Sequence, residues 1–98
     1  MSDDLSDDLS KPRMHVAYRV TASDGTVITS PPRWTRHADA VTHLVVGSRG
    51  APWERTWQIL RYTSSEERAR SVRRSYMRGR QSGSYGTVEA LPATITPA

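Results

Sequence analysis

The sequence predicts a small α+β domain with one mixed four-stranded sheet, two helices and a single core, in the element order ββαβαβ. Three observations lead there. Residues 14–21 alternate apolar and polar side chains and run into Asp24-Gly25, a hairpin signal. Residues 64–78 open on a Ser/Glu helix start and continue at helical spacing. The stretches 53–62 and 85–91, on either side of that helix, return to strand-like composition.

The elements follow from the residues in order. The chain begins Ser2-Asp3-Asp4-Leu5 and Ser6-Asp7-Asp8-Leu9, a direct repeat rich in charge and poor in packing groups, so residues 1–12 read as a disordered acidic tail. An acidic decoy that competes with nucleic acid for a basic face, or a short Leu5/Leu9 turn on a partner, is the functional counterpart of that reading. Met14, Val16, Tyr18 and Val20 then share one face of a half-buried strand. Asp24-Gly25 supplies a two-residue turn, and residues 26–29 return as a second strand. Pro31-Pro32 stops that strand or confines it to an edge, because proline cannot donate to a ladder.

Thr35 is placed to cap a helix over residues 36–47, with Ala38, Val41, Leu44 and Val45 on one face. The β-branched Val41, Thr42, Val45 and Val46 work against that helix, and Gly47, Gly50 and Pro52 end it. Residues 53–62 carry apolar side chains on both faces, the mark of a central strand. Ser64-Ser65-Glu66-Glu67 reads as a capping box for the second helix, with its acids suited to the N-terminal dipole. Gly79 and Ser82-Gly83-Ser84 close that helix, and residues 85–91 form a last strand around Val88. Residues 53–91 thus form a βαβ unit with parallel strands if both belong to one sheet. The domain is expected to span residues 13–92, with 93–98 a disordered C-terminal tail.

Composition narrows the function classes. Ninety-eight residues make one domain, and a chain of this size buries about 60–65% of its unfolded surface. With 36% hydrophobic residues and no Phe, the core must draw on its Trp and Tyr side chains, and a homodimer or partner is one way to complete it. From Lys11 onward fourteen basic residues face six acidic ones, a net charge of +8. That excess attracts polyanions or acidic proteins and is silent about fold. Without Cys there is no disulfide, thiolate nucleophile or Cys-ligated zinc. No apolar run is long enough for a membrane span, and the N-terminus is acidic where a signal peptide is basic and then apolar, so a cytoplasmic protein with no membrane partner is expected.

The feature that points outward is the second helix. Six arginines occupy the thirteen positions 68–80 with no acid among them. On a helical wheel Ala69, Val72 and Tyr76 form the packing stripe, and Arg70, Arg74 and Arg78 follow one another at i, i+4 on the far side. Arg73 and Arg80 flank the stripe, Arg68 borders it opposite, and Met77 sits away from the core. Like charges at i, i+4 repel by a few tenths of a kcal/mol per pair, so stability alone does not account for the row. A row of guanidiniums can track phosphates, releasing a counterion at each contact. An acidic protein surface fits the same row with Met77 as an apolar anchor, and a solvated face in an arginine-biased proteome is the plain alternative.

Other constellations are thinner. Asp39 and His43 would be i, i+4 neighbours beside His37, but two ligands do not make a metal or catalytic site. No phosphate-binding glycine loop, nucleophile elbow or zinc-protease motif occurs, so no enzyme, cofactor or metal is expected. Trp57 between Arg55 and Arg61 offers a stacking platform for single-stranded bases, against the plain reading of Trp57 and Ile59 as core.

The Trp-bearing strand, the Ser-x-x-Glu helix with Ala69 and the Gly-led last strand around Val88 resemble, in layout and composition, small orphan proteins of actinobacterial phages. The resemblance covers under half of the chain and implies a viral binding protein, an accessory or host-interaction factor working in the host cytoplasm. The sequence thus points to a non-enzymatic protein that binds DNA or RNA through Arg70, Arg73, Arg74, Met77, Arg78 and Arg80. Its alternative is a protein-interaction module that engages an acidic host protein through the same helix.

Overall fold

The computed structural model describes residues 12–78 and 85–98. Strand β1 (Met14–Thr21) pairs antiparallel with β2 (Val27–Thr29), β3 (Arg33–Thr35) and the C-terminal β7 (Thr94–Pro97). A second sheet has the order β5-β4-β6, from β4 (His43–Arg49), β5 (Thr56–Thr63) and β6 (Thr87–Pro92), with both flanking strands antiparallel to β4. Helix α1 (Glu66–Arg78) connects β5 to β6. Because β5 and β6 both oppose β4, they run parallel to each other with β4 between them, so the βαβ unit is present but split by a strand.

Successive side chains of β4 point to opposite faces, and this one strand builds both cores. Leu44 and Val46 pack with Val16, Tyr18, Val20 and Ile28 of the first sheet, whereas Val45 packs with Ala69 of α1 and Val88 of β6. All three β4 side chains are fully buried. The molecule is therefore layered sheet, sheet, helix, the three-layer solution for a sheet that is apolar on both faces.

Several expectations are corrected by this architecture. In place of one four-stranded sheet with a single core and two helices there are two sheets and two core clusters. Among the described residues α1 is the one α-helix. The helix expected over 36–47 is absent: Ala38–Ala40 makes one 3-10 turn and the chain becomes β4. Thr35 Oγ1 still accepts a hydrogen bond, from His37 N–H at 3.0 Å, but it steadies this turn. The reason is that Val41, Leu44, Val45 and Val46 satisfy a helical stripe and a doubly buried strand equally well, and β-branching favours the strand. Residues 93–98, expected as a tail, contribute β7, whose Thr96 Oγ1 donates to Ala17 O at 3.3 Å. The expected acidic tail lies outside the described residues except for Pro12.

The first hairpin forms with a longer turn than its sequence signal. Gly25 N–H donates to Ala22 O and Ala22 N–H to Thr26 O, and within this turn only Gly25 has positive φ, at 88°. That is a three-residue loop with a glycine bulge rather than a two-residue turn. Asp24 accepts from Thr26 N–H at 2.9 Å. Pro31-Pro32 divides the return strand into β2 and β3. Three steps along β1, from Arg19 to Val16, are matched by four along the return strand, from Thr29 to Arg33, so one residue bulges out at the prolines. A second irregularity, at Leu60, lets Leu60 and Arg61 both face the helix layer while Ile59 faces the first sheet.

Candidate functional site

α1 begins one residue later than the capping box predicts. Ser65 Oγ accepts from Arg68 N–H at 3.1 Å, so Ser65 is the N-cap and Arg68 holds the position where a reciprocal Glu would sit. Glu66 and Glu67 occupy the first turn, where they complement the dipole. Ala69 is buried, and Val72 and Tyr76 pack around it against Val45, Leu60, Val88 and Ala90, so the expected stripe is the packing stripe. Gly47 makes this fit possible: a Cβ there would stand 2.8 Å from Cδ1 of Tyr85, whose ring meets Tyr76 edge-on.

The arginines divide by what they touch. Arg73 Nε donates to Val88 O at 2.7 Å, covering a carbonyl of the edge strand β6. Arg70 pairs with Glu66 at 2.6 Å, an exposed i, i+4 bridge worth about 0.3–0.5 kcal/mol. Arg74 and Arg78 line a hollow of about 370 Å³ together with Ser71 and Ser75. Arg68 lines a groove of about 700 Å³ between α1 and β5, floored by Val41, Tyr62 and Val72 and edged by Arg61, Ser64 and Ser71. Ser71 lines both hollows, so the channel along the helix has two adjoining parts, with Arg61 and Arg68 on one and Arg74 and Arg78 on the other. Met77 is 48% exposed, and Arg80 lies outside the described residues.

The set that lines this channel is thus Arg61, Arg68, Arg74 and Arg78, and none of the four has a salt bridge among the described residues. Glu67 is the one carboxylate at the rim of the groove. Guanidinium forks beside serine hydroxyls offer many donors for oxyanions and few groups that accept a proton. Arg61 went unnoticed as a partner of the helix because its place depends on the β5 bulge.

The other candidates separate. Asp39 lies in the 3-10 turn and His43 begins β4, where its Nδ1 lies 2.9 Å from Thr42 Oγ1, so no shared helix makes them neighbours. Among the described residues no group of three His, Asp or Glu is arranged to hold a metal. Trp57 is a core residue rather than a platform: it packs between the sheets and its Nε1 donates to Asp24 Oδ2 at 3.3 Å, beside the Arg55–Asp24 pair at 3.5 Å. The Thr26 N–H bond, with Trp57 and Arg55 assisting, holds the Asp24 carboxyl below its usual range. Burial pushes the Tyr18 phenol upward, and its O–H donates to Ala38 O at 2.7 Å. No described helix is long and apolar enough to cross a membrane.

No known protein family, curated protein or solved structure matches the chain.

Proposed function

We propose that the protein is a non-enzymatic nucleic-acid-binding module that holds phosphates in the channel between α1 and β5. The observation that carries this reading is the gathering of Arg61, Arg68, Arg74 and Arg78, from two elements, along a hydroxyl-lined channel whose lining holds one carboxylate, Glu67, and in which none of the four has a salt bridge among the described residues. A charge cluster maintained against its own repulsion is matched to an anion from outside. Arginine in particular presents a bidentate fork to each phosphate.

Four phosphate contacts set the scale of the salt dependence. The slope of log K against log salt is about −3.6 on duplex DNA and about −2.8 on a single strand, so raising salt from about 50 to 200 mM lowers affinity by about 50- to 150-fold. The test is titration of DNA and RNA at those two concentrations, with the Arg74→Glu/Arg78→Glu variant beside the native chain. The variant is expected to lose binding and flatten the slope. Absence of any binding near 50 mM salt, where nonspecific attraction is strongest, overturns the reading.

The runner-up is an accessory factor that engages an acidic host protein, as the phage-like layout implies. Its supporting observation is Met77, 48% exposed beside Arg73, Arg74 and Arg78 in sequence. Capture of the same partners by a Met77→Asp variant removes Met77 from such an interface.

A further inference from the structure

We infer that Trp34, braced by His15, stacks a base of a single-stranded nucleic acid whose phosphates occupy the arginine channel. The inference rests on the nucleic-acid reading and deepens it by naming the strandedness of the ligand.

Trp34 is 62% exposed on the outer face of the first sheet, the face turned away from both cores. It stands opposite His15 in the β1–β3 register, and the two rings stack 4.6 Å apart with their planes 10° from parallel. Cross-strand neighbours stand about 4.5–5.5 Å apart at Cβ, so this stack runs from strand to strand across the sheet. His15 therefore covers one face of the indole, and the other looks outward past β3, an edge strand. A ring so exposed contributes little to the core, while its orientation is already set by the stack and by β3. Both features suit a platform whose ordering cost is met before the ligand arrives.

β3 links Trp34 to the channel through its neighbour: Arg33 and Trp34 point to opposite faces of the first sheet, so a ligand reaching both passes around the β3 edge. Arg33, its neighbour in β3, places its guanidinium 5.4 Å over the ring of Tyr62, and Tyr62 lines the channel. Charge favours the same ligand: the outer-face strand positions hold His15 and Arg19 with Thr21, Thr29, Thr94 and Thr96, and no carboxylate. In a duplex the bases stack on one another, whereas an unpaired base can splay onto an aromatic ring while its backbone follows a basic groove.

The experiment uses the full chain and two probes, an oligothymidylate of about a dozen nucleotides and a duplex of similar length. Binding is measured by titration, and the indole N–H signals of the chain are followed by NMR. Trp34→Ala is expected to weaken the single strand by about 5- to 100-fold with the salt slope unchanged, and to leave the duplex within about twofold. Trp34→Phe, which keeps a ring on His15, should retain part of the affinity. The indole signal that Trp34→Ala removes should move on adding oligothymidylate, while that of Trp57 stays in place.

Equal single-strand affinity of native and Trp34→Ala chains, or a stationary Trp34 signal at saturation, overturns the inference and leaves the phosphate-channel reading standing. Failure of both probes to bind at low salt overturns the channel reading itself. Comparison of the native and Trp34→Ala melting curves separates lost stacking from lost folding.

Discussion

Arg73 and Arg74 are sequence neighbours with the same side chain, and the structure assigns them different tasks. Arg73 Nε closes a 2.7 Å hydrogen bond on Val88 O, at the partly buried seam between α1 and β6. Arg74 lines the open hollow with Ser71, Ser75 and Arg78. A hydrogen bond from a charged donor contributes about 1.5–3 kcal/mol. Water can partly replace a donor at a strand edge, which brings the expected loss in Arg73→Ala to about 1–2 kcal/mol. For a domain of this size each kcal/mol moves the midpoint by about 4–8 °C, so thermal unfolding followed by circular dichroism should show a fall of about 5–15 °C. Arg74→Ala should stay within about 0.5 kcal/mol of the native chain, as surface substitutions do. Arg73→Lys keeps the charge but lacks the planar Nε, and it should melt close to Arg73→Ala. Anion affinity should move in the opposite sense, falling in Arg74→Ala and holding in Arg73→Ala. If the Arg73→Ala and Arg74→Ala chains melt within about 2 °C of one another, the division of the arginines into structural and ligand-facing sets is wrong.

Two further predictions concern the core and the hairpin. Tyr18→Phe removes the O–H that donates to Ala38 O at a site only 1% exposed, so the urea midpoint should fall by an amount worth about 1–2 kcal/mol with the slope unchanged; an unchanged midpoint would show that bond to be dispensable. Asp24 has its pKa lowered on folding, so its contribution is fully present above the unfolded value near 3.8 and is lost as pH falls through the depressed folded value. Asp24→Asn should accordingly lower stability at neutral pH and flatten the acid limb of the stability profile, and an acid limb identical to the native one would remove Asp24 from that transition.

Much of the candidate site was legible because its signals are local. The Ser/Glu start of α1, the packing stripe of Ala69, Val72 and Tyr76, and the arginines between positions 68 and 78 depend on spacing along one helix, where neighbours in space are three or four apart in sequence. Arg61 was not legible as a channel-lining group, nor Trp34 as an exposed one. Arg61 reaches the channel through a bulge that shifts the strand's facing, and Trp34 reads as core in a chain without Phe until its sheet is seen to carry no layer on that face among the described residues. The aromatic-platform idea was attached to Trp57, whose strand lies between two layers and whose ring packs in the core.

The amino-acid order alone determines the basic excess, the absence of cysteine chemistry, the β1 hairpin and the arginine-bearing helix, each a property of composition or of short-range periodicity. Only the tertiary structure decided that residues 43–49 are a strand, that two sheets stack, and which arginines and tryptophans are left over. The reason is physical. A doubly buried strand and an amphipathic helix share a hydrophobic pattern over so short a run, and a side chain's freedom to meet a ligand depends on the long-range contacts that remain after the core has taken what it needs.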